Sequence, residues 1–326
     1  MKTAKSLVQS LNINSVEKLA DYLQLDIQQL DYSKQASDQF SFVVPMSFVK
    51  RMKKSDPKDP LLLQILPQKK ELIQTPDYSQ DPLGEEYCLL APGLLQKYQH
   101  RVLLIVTPSC GIHCRYCFRR HSPHKQSNTQ LSNELENNIQ LIKSRADITE
   151  VILSGGDPLT LSDQRFSLLL KQLAGIKQLK RLRIHTRQLI VQPKRISKTL
   201  IHSLAEFPCP VVIVLHINHP AELSDEVIDV IHHLKQPNIQ LLNQSVLLKD
   251  INDKSEILIQ LSETLFQANI LPYYLHMLDP VSGSQHFNVS TKKAIEIMND
   301  MHIQLPGYLV PKLVKECPDD KYKRSV

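Results

Sequence analysis

Apolar residues recur in a regular pattern from about residue 100 onward. Six short runs, rich in β-branched and other apolar side chains, have the length of strands. They lie at 101–108, 150–158, 182–186, 210–218, 239–248 and 270–279. A segment with apolar residues at helical spacing follows each run, most clearly at 131–144, 163–176, 224–236, 254–268 and 291–302. Strand alternating with helix predicts βαβ units, and nearly continuous apolar strands predict a parallel sheet covered on both faces.

The first hundred residues follow a different pattern. Residues 1–30 have helical spacing, as in "SVEKLADYLQL", whereas Pro and Asp interrupt residues 40–100, which predicts short helices and turns. We therefore divide the chain into an N-terminal, mostly helical accessory region (1–95), a strand–helix domain (96–305) and a C-terminal tail (306–326). Residues 1–40 either recruit a partner or pack on the main domain.

Polar side chains follow or end nearly every predicted strand. A cysteine loop follows the first strand and "SGGD" the second; "HTR", "HINHP" and "HMLD" end the third, fourth and sixth; "NQS" lies in the fifth. Barrels build their active sites from the C-terminal ends of several strands. The pattern therefore favours a partial (β/α)6 barrel, with one site at its mouth, over an open doubly wound sheet.

Composition excludes several classes of protein. The 326 residues are 42% hydrophobic with a net charge of +6, and they contain no apolar run long enough for a membrane span or a signal peptide. No dense basic stripe interleaved with aromatic residues indicates a nucleic-acid binder. We expect a cytoplasmic protein, in which cysteines rarely form disulfides. Cys88, Cys209 and Cys317 are scattered and are interpreted as structural.

The stretch "CGIHCRYCFRRH" places Cys110, Cys114 and Cys117 on one short loop. Thiolates suit zinc or iron–sulfur clusters. Zinc would need a fourth ligand, and three histidines are near: His113, His121 and His124. A four-iron cluster normally takes four cysteines, so three would leave one iron open, as a catalytic site requires. A packed loop without metal is the third possibility.

The spacing of these cysteines, directly after the first strand, resembles the radical S-adenosylmethionine superfamily. In that superfamily the open iron binds the amino and carboxylate groups of S-adenosylmethionine, whose cleavage gives a 5′-deoxyadenosyl radical. Tyr116 stands where an aromatic residue is common. "SGGDP" matches the superfamily motif, which implies that Gly155, Gly156 and Asp157 bind this cofactor. A Gly-Gly-Asp turn alone would indicate only a loop.

The resemblance is closer on either side of the loop. The segments "KYQHRVLLIVTPSCGIHCRYCFRRH", "HINHPAE", "NQSVLLKDIND", "PYYLHMLDPVSGSQHF" and "GYLVPKLVKE" resemble, in order, the lysine 2,3-aminomutase family. "PGLLQKYQHRVLL" and "GYLVPKL" resemble the short branch that makes β-lysine for modification of translation elongation factor P. The resemblance implies a [4Fe-4S] cluster, S-adenosylmethionine, pyridoxal phosphate, L-lysine as substrate, an electron donor such as flavodoxin or ferredoxin, and a link to the enzyme that transfers β-lysine.

The same resemblance implies a role for individual residues. Lys323 matches the lysine that binds pyridoxal phosphate, although Lys321 is two residues away and a tail lysine is ordinarily solvated. The other positions matched to pyridoxal phosphate or S-adenosylmethionine are Tyr98, Arg101, His216 and Gln244. Without the resemblance they would be interpreted as core or surface residues.

Three further residues match positions that bind the substrate. Arg119 corresponds to the arginine for the substrate carboxylate, and Asp279 and Glu316 correspond to acidic residues for the distant ammonium. Two carboxylates argue for a cationic side chain, because opposite charges attract strongly in a closed pocket. Two alternatives stay open: an aminomutase for glutamate or arginine, and a zinc-binding protein without catalysis.

Overall fold

A computed structural model describes residues 12–122 and 128–326, and for 128–133 only the backbone. His124 lies outside the described residues. In the described part of the chain a ten-stranded sheet dominates, with the spatial order β12-β11-β10-β9-β8-β7-β6-β5-β4-β3. These strands are β3 (Leu89–Ala91), β4 (Leu94–Tyr98), β5 (Arg101–Thr107), β6 (Glu150–Gly155), β7 (Arg181–Thr186), β8 (Val211–His216), β9 (Ile239–Val246), β10 (Leu271–His276), β11 (Lys312–Lys315) and β12 (Arg324–Ser325).

Strands β5 to β11 are parallel, while β3, β4 and β12 extend the sheet with antiparallel pairs. The six predicted strands are β5 to β10, and the α/β class with a partial (β/α)6 barrel is confirmed. A separate pair, β1 (Asn12–Ile13) and β2 (Val44–Pro45), lies in the N-terminal region.

The helices fall into two groups. The N-terminal region carries α1 (Val16–Leu23), α2 (Lys34–Gln39), α3 (Met46–Val49) and α4 (Pro60–Leu63). The main domain carries α5 (Asn128–Ser144), α6 (Asp163–Ala174), α7 (Gln188–Val191), α8 (Lys198–Ala205), α9 (Asp225–His233), α10 (Ser255–Gln267) and α11 (Thr291–Gln304). The five clear helical segments of the sequence correspond to α5, α6, α9, α10 and α11. No described helix has the length and apolarity to cross a membrane.

Two apolar cores hold the helices against the sheet and the N-terminal region against the main domain. The larger one lies between the outward side chains of the strands and the helices that cover them. The smaller one joins α1, α3 and α4 to Ile112 of the cysteine loop and Val191 of α7. The N-terminal region therefore packs against the main domain through its own apolar side chains. The hydroxyl of Ser15 caps the first of its helices, α1.

The remaining open side of the barrel is bridged by side chains. The tail brings Glu316 next to β4, where its carboxylate accepts a hydrogen bond from the hydroxyl of Tyr98 at 2.9 Å. The ammonium of Lys97 lies 3.3 Å from the same carboxylate and donates to the carbonyl of Cys317 at 2.7 Å. The first and last segments of the sheet thus meet across the barrel mouth.

Candidate active site

The cysteine loop runs from the end of β5 and is fixed to the N-terminal region by its backbone. The amide of His113 donates to the carbonyl of Val43 at 3.0 Å, and the amide of Arg115 donates to the carbonyl of Gln64 at 2.9 Å. The Arg115 side chain, with no exposed surface, forms an ion pair of 2.6 Å with Glu71. A buried cation with a matched carboxylate holds the loop in one position.

The thiols of Cys110 and Cys117 are strongly desolvated. Burial raises the pKa of Cys110 well above its usual range and that of Cys117 to about 11. Buried thiols with no metal resist ionisation, whereas a bound metal or cluster takes them as thiolates. The donor set therefore fits a metal–sulfur group held on three cysteines.

Zinc finds less support than a cluster. His113 stacks on Phe40 with ring centroids 5.1 Å apart, and His121 is hydrogen bonded to the carbonyl of Ser282 at 2.9 Å. Within residues 12–122 and 128–326, no three His, Cys, Asp or Glu side chains converge on a single ion-sized point. His113 and His121 are thus engaged with other groups, and His124 lies outside the described residues.

The glycine turn after β6 lies directly against the start of the cysteine loop. A Cβ on Gly156 would stand 2.2 Å from the carbonyl oxygen of Ser109, and Gly155 has a φ of +121°. Only glycine allows this close approach and this backbone conformation. The amide of Asp157 also donates to the carbonyl of Ser109 at 2.8 Å, so the turn and the cysteine loop form one unit.

The carboxylate of Asp157 is occupied by protein donors. It accepts hydrogen bonds from the hydroxyl of Thr186 at 2.7 Å and from the amides of Arg187 at 2.6 Å and Gln188 at 2.8 Å. Burial raises its pKa, and these donors oppose that rise. Asp157 thus joins the ends of β6 and β7, and its predicted contribution to S-adenosylmethionine binding would be through the placement of this turn.

Arg119, the predicted ligand of the substrate carboxylate, already holds a carboxylate. Its guanidinium forms a two-point ion pair with Glu85, with 2.8 Å from Nε and 2.5 Å from Nη2. Nη1 donates to the hydroxyl of Ser154 at 3.0 Å and the carbonyl of Gly155 at 3.2 Å. The side chain therefore lies between the cysteine loop and the glycine turn, and a substrate carboxylate has to compete with Glu85.

The C-terminal tail brings Lys323 into the barrel mouth. Its ammonium forms an ion pair with Glu316 and lies 5.8 Å from the ring centre of Tyr274, and 23% of its side chain is exposed. Lys321 is exposed. Burial would raise the pKa of Glu316, but the charges of Lys323 and Lys97 lower it to about 2.

Arg101, the first residue of β5, lies beside Tyr98 and a cavity. Its guanidinium carbon lies 4.2 Å from the ring centre of Tyr98, and its buried Nε has no hydrogen-bond partner among the described residues. A cavity of about 80 Å³ opens beside these two residues and also reaches Glu85 and Glu316. A buried, unpaired guanidinium nitrogen on a cavity is suited to an anionic ligand.

Asp279 lies in the same electrostatic environment. Burial and the negative charge of Glu316 raise its pKa to about 7, while Lys323 and Lys97 act in the opposite direction. The two predicted ammonium-binding carboxylates therefore have pKa values shifted in opposite directions: Glu316 is held ionised, and Asp279 is about half protonated near pH 7. A cation entering between them would favour the ionised form of both.

His216 and Gln244 lie in one row across the sheet, since Gln244 pairs in register with His216 on one side and with Tyr274 on the other. Nε2 of His216 is 3.0 Å from the hydroxyl of Tyr116. Burial lowers the pKa of His216 to about 3, so the imidazole is neutral. Both residues remain predicted cofactor contacts at the inner face of the barrel.

Sequence reasoning gave no role to four charged or polar residues of the site. Glu71, Glu85 and Gln64 come from a region interpreted as short helices and turns, and Arg187 belongs to "HTR". Arg187 donates to Sγ of Cys114 at 2.7 Å. The only available signal was position: "HTR" ends a predicted strand, where barrel active sites are built.

The chain is similar to known proteins along nearly its whole length. The model of the radical SAM superfamily matches residues 104–261. An L-lysine 2,3-aminomutase of Buchnera aphidicola is 46% identical over 97% of this chain and 90% of its own length, and one of Escherichia coli is 41% identical over 97% and 89%. A glutamate 2,3-aminomutase of Clostridioides difficile is 30% identical over 95% and 73%.

Proposed function

Because this chain belongs to the L-lysine 2,3-aminomutase family of radical S-adenosylmethionine enzymes, we propose that it moves the α-amino group of L-lysine to C3 and releases β-lysine. The observation that carries the proposal is the convergence at one barrel mouth of Arg119, Asp279 and the Lys323–Glu316 ion pair. A guanidinium on one side and two carboxylates on the other match the two ends of an amino acid with a cationic side chain.

Each group of residues would have one task. Cys110, Cys114 and Cys117 would hold the cluster, and Gly155, Gly156 and Asp157 would form the turn beside S-adenosylmethionine. Lys323 would bind pyridoxal phosphate covalently, and Arg101 would bind its phosphate. When bound, the cluster and S-adenosylmethionine supply a carbon radical, and pyridoxal phosphate delocalises the unpaired electron during amino migration. The barrel positions the reacting atoms and excludes water.

The substrate would be oriented from both ends. Arg119 would bind its carboxylate in competition with Glu85, and Asp279 and Glu316 would bind its ε-ammonium. Glu316 already pairs with Lys323 and Lys97. The substrate ammonium must therefore share or displace these partners. Asp279, which forms no ion pair with any described side chain, would gain one. Glutamate as substrate would place a third carboxylate beside Asp279 and Glu316, which repulsion disfavours.

An anaerobic assay with a reductant, S-adenosylmethionine and pyridoxal phosphate tests the reaction. We expect β-lysine from lysine and far slower turnover of arginine and glutamate; a preference for glutamate would overturn the assignment. The purified protein should be brown with about four irons per chain. A colourless protein with one zinc would support the binding-protein alternative instead.

The cofactor lysine is tested separately. Borohydride reduction with pyridoxal phosphate, followed by peptide mapping, should label Lys323. Lys321→Ala is the matched control, because it removes an exposed lysine two residues away and should leave the label in place. Labelling at position 321 in the parent protein would show that the ungapped match to the family is misplaced.

The cellular role is a finer proposal that rests on the resemblance of "PGLLQKYQHRVLL" and "GYLVPKL" to the short branch. We propose that β-lysine made here is attached to elongation factor P by a separate enzyme in the cytoplasm, and that a flavodoxin or ferredoxin supplies the electron. Deleting the gene should remove the β-lysyl mass from elongation factor P, and an unchanged mass would refute this role.

A further inference from the structure

The strand-end motif "HTR" received no role in the proposed reaction, yet it places a buried cation on a predicted cluster ligand. The guanidinium of Arg187 is 7% exposed. Its Nη1 lies 2.7 Å from Sγ of Cys114 and 2.6 Å from the hydroxyl of Tyr116. Tyr116 itself lies between the second and third cysteines, so this guanidinium contacts the loop at two points.

The other side of the guanidinium is held by buried partners. Nη2 donates to Oε2 of Glu222 at 2.9 Å and to Oε1 of Gln64 at 2.7 Å. Glu222 and Gln64 have no exposed surface. The Glu222 carboxylate also accepts from the backbone amide of Asn218 at 2.9 Å. These contacts leave the side chain no alternative position toward solvent.

The backbone of Arg187 is fixed as well. Its amide donates to the carboxylate of Asp157 at 2.6 Å, and the next amide, of Gln188, donates to the same carboxylate at 2.8 Å. The glycine turn, the end of β7 and the N-terminal region therefore all contribute to one arrangement. Burying an arginine costs several kcal/mol unless its partners are arranged in advance. Here the pre-arranged partners hold the guanidinium of Arg187 against Sγ of Cys114.

A hydrogen bond from a cation to a ligand sulfur changes the chemistry of a cluster. Adding one electron to an iron–sulfur cluster increases its negative charge, part of which lies on the ligand sulfurs. Hydrogen bonds to those sulfurs and nearby positive charge stabilise the reduced form and raise the reduction potential. Glu222 partly cancels the positive charge of Arg187. The effect of Arg187 on the cluster should still dominate, because Arg187 contacts Sγ of Cys114 directly.

We propose that Arg187 is a positioning residue that raises the reduction potential of a cluster held by Cys110, Cys114 and Cys117, by donating to Sγ of Cys114. This inference rests on the proposed function, because it requires the three cysteines to hold a four-iron cluster. It does not require lysine to be the substrate. Its role is to make the one-electron reduction that precedes radical formation accessible to a cellular donor.

The test is a redox titration of the anaerobically purified holoprotein with dithionite, followed by electron paramagnetic resonance of the reduced cluster. Arg187→Gln removes the charge and keeps a polar side chain of similar length. We expect at least a tenfold shift of the one-electron equilibrium toward the oxidised cluster, equivalent to a potential lower by about 59 mV. Arg187→Lys should recover part of the shift, since an ammonium keeps the charge but cannot make all four contacts.

Arg51→Gln is the matched control. Arg51 also lies over the ring of Phe48, at 4.9 Å against 5.4 Å for Arg187, and it is also paired with buried acceptors. Those acceptors are the backbone carbonyls of Glu222 and Ile190 rather than a cysteine. We expect no measurable shift of the one-electron equilibrium relative to the parent protein. An equal shift in both variants would mean that any buried arginine lost from this region has the same effect, and would overturn the proposal.

Iron content and S-adenosylmethionine binding separate the remaining outcomes. If the parent protein holds no iron, the proposed function fails. If Arg187→Gln retains about four irons at an unchanged potential, this inference alone fails, and weakened S-adenosylmethionine binding would then assign Arg187 to that cofactor. If Arg187→Gln loses its iron, the potential of Arg187→Lys decides: an unchanged value overturns the proposal.

Discussion

Replacing Asp279 by asparagine should stabilise the folded protein while it disables the site. Burial raises the pKa of Asp279 to about 7 from an ordinary value of 3.8, with Glu316 adding to the rise. Forming the carboxylate therefore costs the folded protein free energy that the unfolded chain does not lose. An amide of the same shape carries no charge and avoids that cost. Most substitutions destabilise, so the expected sign is unusual.

The magnitude follows from proton linkage. Each tenfold change in proton affinity corresponds to about 1.4 kcal/mol, so a rise from 3.8 to about 7 amounts to about 4 kcal/mol. Below pH 3.8 both states are protonated and the charge costs nothing. Stability of the parent protein then falls as the pH rises from 3.8 to 7, and it stays lower above 7. Asp279→Asn should therefore gain up to about 4 kcal/mol over the parent at pH 8, and progressively less towards pH 5.

Urea unfolding of parent and variant at half-unit pH steps from 5 to 8.5 measures this difference. Ionisations that both proteins share cancel in it. Asp163→Asn is the matched control, because Asp163 accepts hydrogen bonds of 2.6 Å from both Arg195 and Ser197. Burial would raise the pKa of Asp163, but these donors lower it. Its replacement should destabilise the protein by about 1 kcal/mol, the opposite sign.

Activity should change in the other direction. Asp279→Asn removes one of the two carboxylates proposed to bind the substrate ammonium, so we expect KM for lysine to rise by at least tenfold. A pH-independent stability difference, or a loss of stability at pH 8, would refute the charge argument. Increased stability with unchanged KM would instead refute the assignment of Asp279 to substrate.

Three further changes test other parts of the site. Glu71→Gln should cost about 3–5 kcal/mol in urea unfolding, because it leaves Arg115 and Arg120 buried without their shared carboxylate. Gly156→Ala should lower iron content, since its Cβ would lie 2.2 Å from the Ser109 carbonyl, whereas Gly307→Ala meets nothing within 4 Å and should leave iron unchanged. Glu85→Gln should lower the Kd for lysine in equilibrium dialysis by about tenfold, roughly 1.4 kcal/mol, because it frees Arg119 from a competing carboxylate; a higher Kd would instead show that Glu85 orients Arg119.

Much of the fold could be predicted because it depends on local periodicity. The six predicted strands, β5 to β10, and the longer helices have continuous apolar runs or clear helical spacing, which tertiary contacts did not override. Strands β3 and β4 were missed because short antiparallel segments in a Pro-rich region give little period-2 signal. The helix α8 (Lys198–Ala205) after β7 was expected but gave a weaker pattern than the others, since only Leu200 and Leu204 of its eight residues are buried. The sequence boundary at 95 falls inside β4 (Leu94–Tyr98), so the division into segments remains a prediction.

For the site, what could be predicted depends on how close the residues lie along the chain. Residues within one motif, such as the three cysteines or the glycine turn, could be named from the sequence because their spacing is local. The charged partners that fix those residues are distant along the chain: Glu71 is 44 residues from Arg115, and Gln64 is 123 residues from Arg187. Single-sequence patterns contain no information about such pairs, since either member is an ordinary surface residue by composition.

This difference has a physical origin. A catalytic motif places its own atoms, but the pKa values and charge state of those atoms depend on groups brought together only by folding. The N-terminal region supplies Gln64, Glu71 and Glu85, each bonded to an arginine in or beside the cysteine loop. It therefore contributes to the electrostatics of the site as well as packing on the barrel. A protein that kept every motif of the main domain and lacked these three residues would leave Arg115 and Arg119 without their carboxylates and Arg187 without one of its four acceptors.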